Sequence, residues 1–350
     1  MRLYGTLIAG VLFLSFFFTA CGEQDQTKET VPQTDCEKAG YKGRVKEVSL
    51  QRYFASDEEG EEWYSTLGPT LTLFNEDGSL KEKKSYSNLD VIMYGYSYEY
   101  EGGKLVRAIS LSESLAPESI FYTYDEAGNL IEKKIVTLEV EEGNEKVTDH
   151  IVYTYDKKNR LIEERILEYG GYEYSYPKSK MYRYDEADRK IEEIIHNVLE
   201  DGESFADTIT WKYDKKGRLL EELYLVGISD EYPNSLQTYL YDEHGNKKEI
   251  KYSQEGKELY SIFYSYVYEN GRIKEETEET PDGEKNVTTY DEHGNILLQL
   301  SYNQGGEITS KIEYVYDAKG NVIKNIFSTP DDNGILREMT VDEITISYYD

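Results

Sequence analysis

The sequence predicts an all-β chain: an extended antiparallel meander of about ten hairpins that forms one twisted, coiled sheet. Three observations point to it. A Tyr-Asp-x-x-Gly stretch, plainest at Tyr241-Asp242-Glu243-His244-Gly245-Asn246, returns along the chain at spacings of two to three dozen residues. Alternating aromatic and β-branched residues lead into it, as in Ile151-Val152-Tyr153-Thr154-Tyr155, and an apolar pair such as Leu161-Ile162 follows; two strand-like runs therefore flank a polar bend. The third is composition. With 35 tyrosines in 350 residues and a hydrophobic fraction of 38%, the chain suits broad half-buried faces whose phenol hydroxyls reach water.

The register is easily written out. Full-length copies are Tyr124-Asp125 with Gly128, Tyr155-Asp156 with Asn159, Tyr184-Asp185 with Asp188, Tyr213-Asp214 with Gly217, Tyr241-Asp242 with Gly245, Tyr290-Asp291 with Gly294 and Tyr316-Asp317 with Gly320. Phe74-Asn75 with Gly78 keeps the spacing, whereas Tyr100-Glu101 with Gly103 and Tyr268-Glu269 with Gly271 are one residue shorter. Asp suits the first position of a type I turn because its carboxylate accepts hydrogen bonds from backbone N–H groups two residues on. Gly then supplies the positive φ that closes a three-residue loop with a bulge. The copies without Gly carry Asn159 and Asp188, the side chains that best tolerate a left-handed conformation. A need for flexibility alone would not select those substitutes.

This Tyr-Asp-x-x-Gly unit, followed by Asn or Arg and an apolar residue, resembles the YD repeat of the RHS family over roughly residues 70 to 330. The resemblance implies an extended β-meander. Large RHS proteins coil their repeats into a hollow β-shell around a toxin; this chain is far shorter, and a remnant of such a shell is one functional expectation. Tyr268-Glu269-Asn270-Gly271-Arg272 is also similar to MORN-like modules, which imply the same meander.

Before the repeats, residues 1–20 read as a signal peptide: Arg2 is the positive head and Leu7 to Phe18 the apolar run. Phe18-Thr19-Ala20-Cys21 resembles a bacterial lipobox. That resemblance implies acylation of Cys21, with palmitate-type chains, and a lipid anchor to the cell outer membrane. Glu23 and Asp25 are similar to the surface-export signals of Bacteroidetes lipoproteins, which implies a surface-exposed protein. Residues 21–40, polar and without hydrophobic period, read as a flexible acidic tether. Cys36 is then left without a disulfide partner, as a free tether thiol or an intermolecular one. Residues 41–350 form the repeat domain.

Tyr41 to Val48 reads as an N-terminal capping strand and Glu343 to Tyr349 as its C-terminal counterpart, with Asp342, Glu343 and Asp350 blunting the open edge. In a meander alternate turns fall on opposite edges, so the uniform Asp-x-x-Gly turns should line one edge and the variable returns the other. About twenty strands roughly 4.8 Å apart would make a flat ribbon on the order of 95 Å wide. Open sheets rarely exceed about ten strands without curling, so this one should coil. Consecutive glutamates such as Glu163-Glu164 expose both faces, which excludes a lipid-facing barrel.

A formal net charge of −30 and a pI near 4.6 make nucleic acid an unfavourable partner. They favour a neutral glycan or a protein, bound by aromatic-rich loops on the variable edge. Tyr169, Tyr172, Tyr174, Tyr176, Trp211 and Tyr232 are the candidate contacts, because aromatic planes stack on sugar rings. A passive, adhesin-like spacer is the competing expectation. No catalytic residue, metal site or cofactor is expected. The four histidines lack partners at catalytic spacing, and His244 and His293 occupy one turn position in sister units. Paired carboxylates at Glu163-Glu164, Glu192-Glu193 and Glu275-Glu276 point to opposite faces of a strand.

Overall fold

Every Asp-x-x-Gly stretch reverses the chain. In the computed structural model, which describes residues 33–55, 63–65, 67–112, 117–139, 144–170, 175–199, 202–227 and 234–350, each repeat Asp accepts at its carbonyl from the N–H three residues on, as in Gly128 to Asp125 at 3.1 Å and Asn159 to Asp156 at 3.0 Å. Its own N–H donates to the carbonyl four residues on, at 2.9 Å in Asp125, Asp156, Asp185, Asp214, Asp242, Asp291 and Asp317. One carboxylate oxygen also accepts from the N–H groups two and four residues on, at 2.9 and 3.0 Å for Asp185. The closing residue is left-handed whatever its type: φ is 60° at Asn159 and 61° at Asp188, beside 92° at Gly128 and 84° at Gly217. The ladder slips by one residue at each Tyr of the motif, as between Thr123 and Tyr124 or Lys212 and Tyr213, which is the bulge such a loop leaves behind.

The strands follow in order. They are β1 (Val45–Ala55), β2 (Trp63–Tyr64), β3 (Leu67–Phe74), β4 (Leu80–Ser87), β5 (Ile92–Glu101), β6 (Lys104–Ser110), β7 (Glu118–Tyr124) and β8 (Leu130–Glu139). Next come β9 (Asn144–Tyr155), β10 (Leu161–Glu168), β11 (Ser175–Tyr184), β12 (Lys190–Leu199), β13 (Ser204–Tyr213), β14 (Leu219–Leu225), β15 (Ser235–Tyr241) and β16 (Lys247–Gln254). The last are β17 (Lys257–Glu269), β18 (Arg272–Glu279), β19 (Lys285–Tyr290), β20 (Ile296–Tyr302), β21 (Ile308–Tyr316), β22 (Val322–Pro330) and β23 (Leu336–Tyr348). From β3 onward each strand pairs antiparallel with the next.

The sheet does not end where the sequence suggested. Instead of two blunted caps on an open, coiled ribbon, β1 pairs with β23 from Val45 opposite Tyr348 to Phe54 opposite Thr340. On its other side β1 pairs with β2 and β3. Because β2 and β3 share one place beside β1, the 23 strands make a closed antiparallel barrel of 22 staves. The expectation of coiling was sound in its physics but missed its outcome. A ribbon curled this far brings its two unpaired edges together, and pairing them satisfies both rows of backbone groups at once. The seam also has a charge pair: Arg52 donates to Asp342 at 2.5 Å, and Asp342 is buried. Asp342 thus anchors a partner strand rather than blunting an edge. At a spacing of about 4.8 Å and a strand tilt of about 40°, 22 staves enclose a cylinder roughly 44 Å across at the backbone.

The folded unit begins at Thr34, inside the stretch expected to be tether. A capping box between Thr34 and Glu37 starts a single helical turn, α1 (Asp35–Lys38). This segment crosses the seam on the turn-lined rim. Cys36 N–H donates to Gly78 at 2.9 Å, Leu80 N–H to the Asp35 carboxylate at 3.0 Å, and Lys42 N–H to Asn321 at 2.6 Å. Cys36, read as a free tether thiol or an intermolecular one, is buried with Val45, Val48 and Phe74, and desolvation raises its thiol pKa.

The motif turns after β3, β5 and each odd-numbered strand through β21 lie on one rim, and the returns lie on the other. Some returns use the same chemistry. Gly306 N–H donates to Asn303 at 3.0 Å and Gly334 N–H to Asp331 at 2.8 Å, so the loop rim is less varied near the C-terminus than the sequence suggested.

Two outcomes test this architecture. Asn159→Gly should leave the urea midpoint unchanged or slightly raised, whereas Asn159→Val should cost about 1–2 kcal/mol because a β-branched side chain resists positive φ. Removing residues 336–350 leaves β1 and β22 unpaired and should produce self-association, read by light scattering; a monodisperse truncated protein would count against closure.

Candidate functional site

In a strand successive side chains face opposite ways, and directly opposed residues in a ladder share a face. Following the pairs around the barrel sorts the aromatic residues that lead into the motif turns onto one face. Tyr122 is opposite Lys133, Tyr153 opposite Glu164, Tyr182 opposite Glu193, Trp211 opposite Glu222, Tyr239 opposite Ile250, Tyr264 opposite Glu278 and Tyr314 opposite Asn325. The other face carries Phe121, Met181, Leu240, Phe263, Val267 and Val315, which are between 39% and 54% exposed, against 8% for Tyr182 and 6% for Ile250 on the tyrosine face. Side chains converge on the concave side of a closed sheet and splay on the convex side, so the tyrosines line the lumen.

The full-length motif tyrosines other than Tyr290 reach back to the adjacent strand, in the hairpin before their own. The hydroxyl donates to the carbonyl of the residue just past the preceding turn: Tyr124 to Leu105, Tyr155 to Leu130, Tyr184 to Leu161, Tyr213 to Lys190 and Tyr241 to Leu219, at 2.7–2.9 Å. Turn arginines complete the joint. Arg160, Arg189 and Arg218 each bind the carboxylate of their own turn Asp at 2.7 Å and lie 4.5–4.8 Å over the next unit's Tyr ring. Asp125, Asp156, Asp185, Asp214, Asp291 and Asp317 therefore titrate below the usual carboxylate range, held down by side-chain and backbone donors.

A second lumenal row, further from the turns, couples aromatic rings to carboxylates. Tyr182 donates to Glu164 at 2.6 Å and the Trp211 indole N–H to Glu222 at 2.8 Å, and the motif residue Tyr290 reaches into this row to donate to Glu276 at 3.0 Å. The repeated glutamate pairs divide as a strand requires. Glu164, Glu193, Glu222 and Glu276 face the lumen, while Glu192 and Glu221 pair outside with Arg183 and Lys212. What the sequence did not reveal is that members of different pairs meet aromatic partners on neighbouring strands. Burial in this crowded face, aided by nearby carboxylates, pushes the phenols of Tyr96 and Tyr153 up to about 12. Burial and the Glu276 charge also raise the Glu278 carboxyl.

The expected aromatic contacts that fall among the described residues lie on different elements. Trp211 is a lumenal strand residue, with Lys190 5.5 Å from its ring. Tyr169 follows β10 on the loop rim. Tyr176 lies in β11 opposite Val198, and Tyr172, Tyr174 and Tyr232 fall outside the described residues. The turn residues, Gly245, Gly294 and Gly320 included, all sit on the opposite rim. His150 bonds Glu132 at 2.8 Å, and His244 and His293 are exposed at turn tips. Among the described residues no group of acidic, histidine or cysteine side chains is placed to hold a metal ion, and no helix is long and apolar enough to cross a membrane.

A polar cleft of about 260 Å³ opens near the loop rim, lined by Glu278, Thr280, Asn286, Ser301 and neighbours. Nearby, Tyr252 and Tyr260 stack with centroids 4.4 Å apart and planes at 20°.

No protein-family model matches the chain, and no curated protein matches it in sequence. Among solved structures, the TcdB2-TccC3 complex is similar over 79% of this chain and 17% of its own, at 15% identity and a TM-score of 0.36. A porin-like protein from Bacteroides uniformis is similar over 88% of this chain and 99% of its own, at 11% identity and a TM-score of 0.30. The chain thus spans 17% of the length of the first. Likenesses at this level assign neither a family nor an activity, and the chain's own residues carry the functional reading.

The staples and the titrating groups give measurable outcomes. Tyr184→Phe should cost about 0.5–1.5 kcal/mol by removing one hydroxyl from the Leu161 carbonyl, read from urea unfolding. Stability should also fall on both sides of neutrality. Phenols whose folded pKa is raised contribute fully below pH 10, the unfolded value, and lose their contribution as pH climbs towards about 12 for Tyr96 and Tyr153. Turn aspartates with lowered pKa contribute above the unfolded value of 3.8 and lose it as pH drops further. A urea midpoint flat from pH 8 to 12 would contradict the alkaline half.

Proposed function

We propose that the protein is a non-enzymatic, lipid-anchored component of the cell outer membrane whose closed β-barrel is a scaffold for a glycan or protein partner. The observation that carries this reading is the lumenal face itself, where aromatic rings and carboxylates alternate across neighbouring strands. Rings supply rigid, low-entropy contact area, and the carboxylates and hydroxyls at their edges supply hydrogen bonds. The convex face carries ion pairs such as Arg183–Glu192 and Lys311–Glu313 among its apolar residues. A lipid-facing wall needs an apolar band, so this surface suits water. Tyr169, which follows β10, stands at the loop rim, the mouth at which a partner would enter; Tyr172, Tyr174, Tyr176 and Tyr232 are proposed as further contacts from the sequence. Attachment falls to Cys21, and surface exposure follows from the acidic residues behind it.

Expression in a Gram-negative host with an alkyne-bearing palmitate tests the anchor. Acyl label should appear on the wild type and vanish in Cys21→Ala, with that variant released to the soluble fraction; an unlabelled wild type rejects a lipid-anchored protein. Capture of envelope glycan or protein by the barrel tests the scaffold, and deletion of residues 169–176 should weaken it if those loops guide entry.

A further inference from the structure

We propose that the lumenal face between β16 and β20, at the loop rim, is a binding subsite for one or two rings of a neutral saccharide. This deepens the scaffold reading and rests on it.

The repeat breaks its own pattern at this place. Four residues before the motif Tyr the lumenal side chain is Ile120, Ile151, Ile209 or Ile312 in four units and the long polar Lys180 or Gln237 in two, and two residues before it is always aromatic in these units: Tyr122, Tyr153, Tyr182, Trp211, Tyr239 or Tyr314. Ahead of Tyr290 the same positions hold Asn286 and Thr288. Smaller and polar side chains replace an isoleucine and a tyrosine, and the cleft of about 260 Å³ opens against Asn286. Register makes the polar character continuous across strands: Glu278 is opposite Asn286, Asn286 opposite Ser301, and Ser301 opposite Ser310. Tyr264 closes the row opposite Glu278.

An aromatic platform stands beside this row. Tyr260 is opposite Tyr252 on the same face as Tyr264, stacked on it, and 46% exposed. Tyr260 and Tyr264 lie on one face of β17, and Tyr264 is opposite the cleft residue Glu278, so the stack and the cleft share that strand. The two parts together match a sugar, whose C–H face packs on a ring while its hydroxyls need both donors and acceptors. Asn286, Ser301 and Thr280 offer both. Glu278, whose carboxyl is pushed up by burial and by Glu276, accepts when ionised and donates when protonated. Among the described residues no group of acidic side chains is placed to hold a metal ion, and an anion would need a free positive group. Lys285 is the cation among the cleft residues, and its ammonium lies 4.8 Å over the Tyr302 ring. The cleft is smaller than the roughly 300–1,000 Å³ typical of drug-sized ligands, which limits the subsite to one or two rings.

The test titrates the full acylated protein in detergent with neutral mono- and disaccharides (glucose, galactose, mannose, N-acetylglucosamine, lactose, maltose) by calorimetry. At least one should bind. Asn286→Ile and Thr288→Tyr, which restore the repeat's own residues, should each weaken it about tenfold, the size of one good contact, as should Tyr260→Ala. Circular dichroism and melting should be unchanged for the two restoring variants. The subsite is rejected if no sugar binds, if the restoring variants bind as well as wild type, or if spermidine or Ca²⁺ binds instead and is lost in Glu278→Gln. Failure here with envelope capture intact rejects the sugar subsite and leaves the scaffold standing; loss of capture as well rejects both.

Discussion

The pairing of β1 with β23 is the interaction on which the rest of the molecule depends. Every other neighbour in the sheet is joined by a hairpin or a short return, so its pairing is local and low in closure cost. The seam instead brings together residues 290 apart, as Arg52 and Asp342 are. For a flexible chain that separation costs on the order of 5 kcal/mol in loop entropy, reduced as the intervening hairpins form and shorten the effective loop. The seam concentrates contacts to match: the charge pair of Arg52 with buried Asp342, the Tyr349 hydroxyl on the Phe74 carbonyl at 2.7 Å, and the α1 segment tied to turns on both sides. Cys36, Val45, Val48 and Phe74 give this one place a small core of the usual kind.

Closure also gives meaning to the alternation of side chains. In an open ribbon the two faces of Leu161-Ile162-Glu163-Glu164 would meet much the same solvent. Once the ribbon is a cylinder, one face is crowded and the other is splayed, and identical neighbours in sequence acquire different surroundings. Glu193 then faces a tyrosine across the ladder while Glu192 holds an arginine in water. The raised phenols and the raised Glu278 carboxyl follow from that crowding, whereas the turn aspartates at the rim, rich in donors, move the other way.

Much of this was legible in the sequence, and what was missed has a common cause. The turn could be read from Asn159 and Asp188 because a left-handed residue leaves a local signature that no distant contact needs to supply. The separation of uniform turns and returns onto two rims followed from parity alone. Closure could not be read, because nothing in Val45–Ala55 states that its partner is Leu336–Tyr348; two good terminal strands look the same whether capped or joined. The α1 segment was missed for a related reason. Thr34-Asp35-Cys36-Glu37 carries a capping box, but four helical residues become stable only by bonding to turns that are far away in the chain. Trp211 was placed among loop aromatics by residue type, although its position two residues before Tyr213 already assigned it to a strand.

The tyrosine staples explain why a wall one sheet thick can hold its shape. A single hydroxyl on a single carbonyl contributes little, yet each one joins a hairpin to the adjacent strand of its predecessor, so neighbouring units cannot shear without breaking it. Arg160, Arg189 and Arg218 then bind their own turn and stack on the next ring, so turn geometry and unit spacing are set by the same side chain. Stability of this kind adds along the array, as nearest-neighbour coupling does in other repeat proteins. It follows that local departures from the pattern are tolerated where the units on either side remain joined. Thr288 and Asn286 occur inside such a stretch: the barrel there keeps its backbone pairing through Glu275–Thr289 and Lys285–Tyr302 while giving up an aromatic and an aliphatic side chain. A scaffold built from redundant couplings can thus spare a few lumenal positions from packing, and those positions are where recognition chemistry has room to sit.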